Sequence, residues 1–370
     1  LEYWKSAPYL LNFMDQYVMK RQFEEDLAED PMRLLGRIQA RDLLDWRAIR
    51  RYEPINLPNA RIRQLVHDTI DRGTWKLLWI PPSLPYIEPT GPYAEPSIED
   101  FTKRLIFSAW ALVPTMVSSI LTYEAERRMV AAGGEVAYEN TPAARATRAR
   151  LLEFTKSEGR LTGMPVFALI YPSPVLARVG DQLRLASQNG GDPVPRDRAL
   201  AATRQAIALK LESLVGQIKA SGVPIADSGP ADERWYWAAP LWLDQIEEPE
   251  STDAFFSRIG DLTGWYLKSD KQGGGQRFNE HVHMAQKTMR YYPTDLGRPP
   301  DDLADVLVKL ALASPGNTSL RSLARLAGRN LADQDIRSAT CQVAWAFRSL
   351  FNGPEIITMV RSTSTADRYW

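Results

Sequence analysis

The chain has 370 residues, which is enough to bury a large core, and a prior of roughly 100–200 residues per domain predicts two or three domains. Hydrophobic residues make up 44% of the sequence and charged residues 24%, and this balance excludes extensive disorder. Because 45 basic side chains are matched by 45 acidic ones, no net field attracts a polyanion, and a nucleic-acid contact would need a local patch.

Residues 1–72 are predicted to form helices separated by short breaks. The segment "NARIRQLVHDTIDRG" is typical of a helix, because apolar residues recur at helical spacing between a capping residue, Asn59, and Gly73 at the opposite end. The next segment, "TWKLLWIPP", is a short apolar run that ends in two prolines, and it predicts a buried strand.

Residues 73–180 are predicted to form a partial α/β lobe. After a proline-rich connector, "KRLIFSAW" predicts a second strand, and Pro114 fits the first turn of the helix that follows. The buried stripe of this helix is predicted to contain Met116, Val117, Ile120 and Leu121. A third apolar run, "PVFALIYPSP", completes a predicted parallel sheet of about three strands.

Residues 196–370 are predicted to contain helices alone, joined by short loops, as in a compact helical bundle. One predicted helix, "DDLADVLVKLALASPG", stops at Pro315-Gly316, and the next, "NTSLRSLARLAG", runs from an Asn cap to Gly328. A further helix, "DQDIRSATCQVAWAFRSLFNG", runs from an Asp cap to Gly353. The predicted fold is therefore mainly α, with a small α/β part and a large helical bundle.

The usual catalytic motifs are missing from this sequence. It contains no GxxxxGK[ST] phosphate loop, no GxGxxG after a strand, no GxSxG elbow and no HExxH pair. His281 and His283 are the best candidates for a metal site, because neutral imidazoles bind zinc, and a hydrolase built on them is one hypothesis. However, a spacing of two places both on one face only in a strand, and the flanking sequence is helical. We predict neither a metal site nor a catalytic residue.

Several other residues have alternative interpretations. Cys341 is predicted to be a packed thiol rather than a nucleophile. The aromatic cluster of "ERWYWAAPLWLDQ" could stack on bases, but its Ala, Pro and Leu neighbours favour a core. Arg321 and Arg325 share a helix face, so they are candidate phosphate contacts, and the alternative is a solvated face paired with acidic neighbours.

The predicted location is the cytoplasm. A single cysteine excludes an internal disulfide, no run approaches ~20 apolar residues, and no basic-then-apolar leader opens the chain. The first residue is Leu1 rather than Met, and the last residues have no tail-like composition. We therefore expect a soluble fragment of a longer protein.

At "FTKRLIFSAW" followed by "VPTMVSSILTYEAERRM", the sequence resembles helicase motif IV in the second RecA-like lobe of superfamily 2 ATPases. The likeness extends to very large bacterial Swi/Snf-type helicase-like proteins, some of them found beside phage-defence genes. The segment "WKLLWIPPSLPYIEPTGPYAEP" resembles the connection between the two lobes. "WYWAAPLWLD" and "FRSLFNGPE" resemble the helical insertion that follows motif IV in those proteins.

This resemblance implies an incomplete RecA-like sheet within residues 73–180, preceded by a helical link to a missing first lobe and followed by a helical insertion at 196–370. It also implies that Ser108 and Trp110 face nucleic acid at the carboxyl end of the motif IV strand, where ligands of open α/β sheets bind. Arg321 and Arg325 are the second pair of candidates.

The resemblance implies ATP and Mg²⁺ for the parent protein only, because the phosphate loop and the metal-binding carboxylates are absent from this chain. The chain alone is not expected to hydrolyse ATP. Its expected partners are DNA, the missing first lobe and the remainder of the second lobe. The alternative is a helical protein-interaction scaffold that does not bind nucleic acid.

Overall fold

The computed structural model describes residue 25 and residues 45–57, 59–80, 86–109, 112–132, 139–146, 150–226, 228–269 and 274–363. The helices predicted before residue 45 therefore lie almost entirely outside the described residues. The described part of the chain is mainly helical, as predicted. Among its helices, none combines the length and the apolar character needed to cross a bilayer.

The described elements are, in chain order, α1 (Trp46–Arg50), α2 (Ala60–Asp68), α3 (Leu112–Ala132), α4 (Pro142–Ala146), β1 (Lys156–Ser157), β2 (Arg160–Leu161), α5 (Met164–Ile170), α6 (Pro174–Val179), α7 (Gln182–Gln188), α8 (Arg196–Ala220), α9 (Trp235–Glu247), α10 (Pro249–Ser269), α11 (Gly274–Arg290), α12 (Leu303–Ala313), α13 (Pro315–Ala327), α14 (Gln334–Phe351) and α15 (Pro354–Thr363). They belong to two compact units. The first contains α1 to α4 and α15, and the second contains β1, β2 and α5 to α14. The domain boundaries predicted at 72, 180 and 196 stay predictions.

The first unit forms a small core around α2 and α3. The Asn59 side chain caps α2 as predicted, because its Oδ1 accepts hydrogen bonds from the backbone N–H of Arg61 at 2.9 Å and of Ile62 at 3.2 Å. The predicted stripe of α3 is confirmed at Met116, Val117 and Ile120, which are buried in the same cluster as Ile62 and Val66 of α2, while Leu121 is partly buried. Periodicity alone was sufficient to orient these two helices.

The three segments predicted as strands of a parallel sheet do not form strands. Residues 74–77 form a 3₁₀ turn, residues 101–108 are neither helix nor strand, and residues 164–170 form α5. In the part of the chain that the structure describes, β1 and β2 pair with each other in an antiparallel hairpin. The RecA-like sheet is therefore not confirmed.

The physical reason is clearest at α5. A short apolar run can be a buried strand or a buried helix, and its periodicity does not distinguish them. Five of the seven residues of α5 are buried and the other two are partly buried, and Pro165 occupies its first turn, where the missing N–H costs nothing. The same composition that favours a central strand thus fits a helix surrounded by other helices.

The second unit has a large aromatic and aliphatic core centred on α9. Trp235, Tyr236, Trp237 and Trp242 are all buried there, so the interpretation of this cluster as core is confirmed. The indole N–H of Trp242 donates to the Thr288 carbonyl at 2.8 Å, and that of Trp235 donates to the Gly297 carbonyl at 2.9 Å. These aromatic side chains are not exposed to nucleic-acid bases.

The helix near residue 315 begins three residues earlier than predicted, because its N-cap is Ser314 rather than Asn317. α13 begins at Pro315 rather than at an Asn cap, because Ser314 is the N-cap and its side chain accepts from the N–H of Asn317. Asn317 is buried within the first turn, where its side chain donates to the Leu310 carbonyl and accepts from the N–H of Ser173. The C-terminal end at Gly328, in the left-handed region with φ of 63°, agrees with the prediction.

Gly180 lies where α6 ends directly against the C-terminal end of α12. A Cβ atom at this position would overlap the backbone of Ala311 and Leu312. We expect Gly180→Ala to lower the free energy of unfolding by about 1–3 kcal/mol, because two backbones would have to separate.

The matched control is Gly216→Ala near the C-terminal end of α8, where a Cβ atom would meet open space. Alanine there should raise the free energy of unfolding by about 0.5–1 kcal/mol through helix propensity. Urea denaturation of both variants checks the pair. Equal effects at the two positions would contradict the close approach of α6 and α12.

Candidate functional site

Ser108, the first predicted nucleic-acid contact, lies in an exposed apolar segment of the first unit. It follows Leu105, Ile106 and Phe107, whose exposed fractions are 80%, 42% and 89%. Ser108 itself is exposed and stands four residues before the start of α3. Trp110, its predicted partner, lies outside the described residues. The segment therefore presents three consecutive large apolar side chains to solvent beside Ser108.

Arg321, the third predicted contact, is turned into the protein. Its side chain is 4% exposed and donates from Nη1 to the Ala311 carbonyl at 2.7 Å and from Nη2 to the Leu312 carbonyl at 2.9 Å. Burial lowers the pKa of the guanidinium to about 10, and the nearby Asp181 carboxylate partly opposes this change. Arg321 joins the end of α12 to α13, and its donors are not available to a phosphate.

Arg325, the fourth predicted contact, is exposed and forms an ion pair with Asp181. Arg329 pairs with Asp333 at 2.5 Å and with Asp335 at 3.2 Å. These arginines are therefore held by acidic neighbours, and Arg321 does not share their exposed face. Arg325 therefore fits the alternative of a solvated face paired with acidic neighbours, whereas the buried Arg321 fits neither interpretation.

The two histidines of α11 point in different directions. His281 is fully buried, its Nε2 accepts from the backbone N–H of Gly163 at 3.2 Å, and its Nδ1 lies 2.7 Å from the Arg277 carbonyl. This pattern is that of a neutral ring with the proton on Nδ1, and burial lowers the pKa of His281 accordingly. His283 is exposed on the opposite face. Two imidazoles separated by a helix body do not share a metal ion.

Among the described residues, no group of three or more His, Cys, Asp or Glu side chains is placed to hold a metal ion. Cys341 is buried, and burial raises the pKa of its thiol to about 12. Such a thiol is not a nucleophile at neutral pH, in agreement with the interpretation of Cys341 as a packed side chain.

The second unit contains a buried polar centre that no sequence motif predicted. Asp244 of α9 and Arg337 of α14 are both fully buried, and Nη2 of Arg337 lies 3.8 Å from Oδ2 of Asp244. Arg337 also donates to the Tyr171 hydroxyl at 2.9 Å, to the Ser251 hydroxyl at 3.1 Å and to the Pro172 carbonyl at 3.2 Å. Its guanidinium lies 4.5 Å above the ring of Phe255, which adds a cation–π contact.

The Asp244 carboxylate is unevenly satisfied. Its Oδ1 accepts from the Ser173 hydroxyl at 2.8 Å and from the Val175 N–H at 3.1 Å, whereas Oδ2 makes no hydrogen bond to the described residues. Burial raises the pKa of Asp244 to about 6, although Arg337 and the hydrogen bonds favour the charged form. This centre ties α9 and α14 to the break between α5 and α6, so its role is structural.

A signal for this centre was present in the sequence but could not be interpreted there. Asp244 lies within the apolar run of α9, and Arg337 lies on the inner face of α14, so each is a charged residue at a core position. Charged residues are almost never fully buried unless they are paired. Which acid pairs with which base depends on how two distant helices pack.

The described residues thus present two different environments. One is the exposed segment at Ser108, and the other is the closed core of the second unit, which contains the buried Asp244–Arg337 pair. No family model, no curated protein and no solved structure matches the sequence.

Proposed function

We propose that this chain is part of a DNA-dependent superfamily 2 ATPase, a helicase or translocase, to which it contributes nucleic-acid and partner contacts. The proposal rests on the motif IV resemblance around "KRLIFSAW". ATP and Mg²⁺ would bind in other parts of a longer polypeptide, because the phosphate loop and metal carboxylates that position the transferred phosphate are absent from this sequence.

The observation that carries the proposal is the exposure of Leu105, Ile106 and Phe107 immediately before α3. Three consecutive large apolar residues are typical of a strand buried on both faces of a parallel sheet. Leaving them in water is unfavourable by about 25 cal/mol for each Å² of apolar surface. Such a segment is stabilised if neighbouring strands from the rest of a RecA-like lobe cover it.

The continuity between this segment and α3 also supports the proposal. Motif IV joins a strand to a helix, and here the segment that ends at Ser108 is followed four residues later by the start of α3. In a completed lobe, Ser108 would lie at the carboxyl end of the strand, where ligands of open α/β sheets bind. Closure of one lobe on the other during ATP turnover would then move this end along the nucleic-acid backbone.

The proposal is tested first with this chain and labelled single- and double-stranded DNA, by fluorescence anisotropy at several salt concentrations. We expect Ser108→Ala to weaken binding by about 0.5–1.5 kcal/mol, the usual value of one hydrogen bond. Ser213→Ala, on an exposed position of α8, is the matched control and should leave the affinity unchanged.

The second test measures ATP hydrolysis by the longer polypeptide that the proposal requires, with and without DNA. Stimulation by DNA supports the proposal, and its absence overturns it. If Ser108→Ala and the unchanged chain bind DNA equally well, Ser108 does not contact DNA. The ATPase measurement then decides whether the protein is a DNA-dependent ATPase.

A helical interaction scaffold is the second candidate function, favoured by α13, in which Arg321 is buried and Arg325 is paired with Asp181. The second unit also exposes Leu209 and Leu326, whose exposed fractions are 64% and 86%. A scaffold predicts no DNA binding even at low salt and no ATPase stimulation in the longer polypeptide. Salt-dependent DNA binding by this chain would exclude it.

A further inference from the structure

Helix α11, which contains the segment "NEHVHMAQ", has an exposed basic face. Arg277, His283, Lys287 and Arg290 are all exposed, and at 100° per residue they fall on one side of the helix. The opposite side carries the apolar residues Phe278, Val282, Ala285 and Met289, which are buried in the core of the second unit. These basic side chains therefore form a stripe on the solvent side of a helix whose opposite side packs into the core.

Acidic neighbours do not neutralise this stripe. Glu280 lies within it, but its Oε2 is 3.3 Å from Nζ of Lys156 in the adjacent hairpin. Arg290 is 4.0 Å from Asp253, at the limit of an ion pair. No described acidic side chain lies within ion-pairing distance of Arg277 or Lys287. This differs from Arg325 and Arg329, each of which is held by an aspartate.

The hairpin that supplies Lys156 is fixed against α11. The N–H of Gly163, just after β2, donates to Nε2 of His281. Phe154, just before β1, packs edge-to-face on Phe278 at 4.9 Å and on His281 at 5.1 Å between ring centroids. His281, the buried member of the His281 and His283 pair, therefore positions the hairpin. His283 lies on the exposed side of α11 with the basic residues.

We infer that the basic face of α11, formed by Arg277, His283, Lys287 and Arg290 with Lys156 beside it, binds the phosphate backbone of nucleic acid. The inference rests on the proposed function and names a contact surface for it in the second unit. From Arg277 to Arg290 the helix spans roughly 20 Å, along which each strand of a duplex presents about six phosphates. Exposed Tyr291, at 70%, stands at the end of this stripe and offers a ring for an unpaired base.

The charge pattern favours nucleic acid over a membrane surface. A membrane-bound amphipathic helix turns its large apolar residues outward into the lipid. Here those residues are turned into the core, and Met284 and Tyr291 are the large apolar side chains that α11 and its end leave exposed in the described part of the chain. The overall charge of the chain is zero, so a polyanion would be attracted by a local basic stripe in which Arg277 and Lys287 have no acidic partner among the described residues.

The test is DNA binding by the whole 370-residue chain carrying Arg277→Glu/Lys287→Glu. The matched control carries Arg184→Glu/Lys219→Glu, the same charge change at exposed positions of α7 and α8. Circular dichroism and thermal melting establish that both variants fold, and Arg277→Gln/Lys287→Gln replaces the first variant if charge reversal unfolds it. Anisotropy is measured with labelled single-stranded and duplex DNA across a salt series.

We expect the α11 variant to reduce the slope of log affinity against log salt by about two, one for each phosphate-contacting cation, and the control to keep the slope of the unchanged chain. Equal slopes for the unchanged chain and the α11 variant overturn the inference, as does an equal loss in the control. Binding to phosphatidylserine vesicles or poly-glutamate that depends on Arg277 and Lys287, without DNA binding, also overturns it.

Failure of the inference about α11 can be distinguished from failure of the proposed ATPase function. If Ser108→Ala weakens DNA binding and the α11 variant does not, only the inference about α11 is wrong. If the α11 variant weakens binding while the longer polypeptide shows no DNA-stimulated ATPase activity, α11 binds nucleic acid in a protein of another class.

Discussion

Replacing Asp244 with alanine is expected to lower the free energy of unfolding by about 3–5 kcal/mol, because it leaves the fully buried Arg337 guanidinium without a charge partner. The change also removes the acceptor of the Ser173 hydroxyl and the Val175 N–H. These groups hold the break between α5 and α6 against α9. Urea denaturation followed by circular dichroism measures the loss.

The matched control for this prediction is Asp244→Asn, which keeps the shape and an oxygen acceptor but removes the charge. Because burial raises the pKa of Asp244 to about 6, above roughly 3.9 in an unfolded chain, the folded protein takes up the proton first as the pH falls. The ionised form therefore costs stability above pH 6. As the pH falls from about 6 to about 4, protonation of Asp244 increasingly stabilises the folded protein, and this stabilisation is complete below that range.

The free energy of unfolding of the unchanged chain is therefore expected to depend on pH differently from that of Asp244→Asn. Relative to Asp244→Asn, the free energy of unfolding of the unchanged chain should rise by about 2 kcal/mol between pH 7 and pH 4, with other carboxylates cancelling in the difference. A difference that stays flat would show that Arg337 offsets burial completely. A difference of opposite sign would show that pairing with Arg337 holds the pKa of Asp244 below its usual value.

Replacing Arg321 with methionine is expected to lower the free energy of unfolding by about 2–4 kcal/mol, because two buried carbonyls, those of Ala311 and Leu312, lose their donors. Methionine keeps much of the side-chain volume, so the loss reports the hydrogen bonds rather than a cavity. The guanidinium also places a positive charge at the C-terminal end of α12, where the helix dipole favours it. Thermal and urea unfolding check the prediction.

Arg325→Met is the matched control on the same helix. Its partner Asp181 lies at the surface, so the loss should be about 0–1 kcal/mol and should shrink as salt is added. The Arg321 variant should keep its DNA affinity wherever it remains folded. An Arg321→Met chain that is as stable as the unchanged chain but binds DNA more weakly would place the guanidinium at a phosphate and contradict the buried geometry.

The contrast between Arg321 and Lys287 shows what a helical pattern does and does not predict. Both lie on amphipathic helices, and spacing assigns each helix an apolar face. Arg321 lies at the boundary of that face, and the end of α12 attracts its guanidinium inward because unpaired carbonyls there need donors. Lys287 meets no such acceptor and remains exposed. The difference is decided by the neighbouring helix.

The sequence by itself determined several helices of this protein, including some of their caps and core faces. Asn59 and Asp333 cap their helices as predicted, Gly328 ends α13, and the apolar stripe of α3 is buried. These features depend on interactions within a few residues, such as a side chain accepting from the N–H two or three positions ahead, or apolar residues three or four apart. Local chemistry is sufficient to fix them.

Only the tertiary structure decided whether "PVFALIYP" is a strand or a helix, which histidine is buried, and that Asp244 meets Arg337. The apolar run satisfies either element, and surrounding helices cover it as α5. His281 and Arg337 are buried because acceptors and donors from distant segments compensate their desolvation. Such compensation depends on contacts between residues far apart in the chain, which no local pattern encodes.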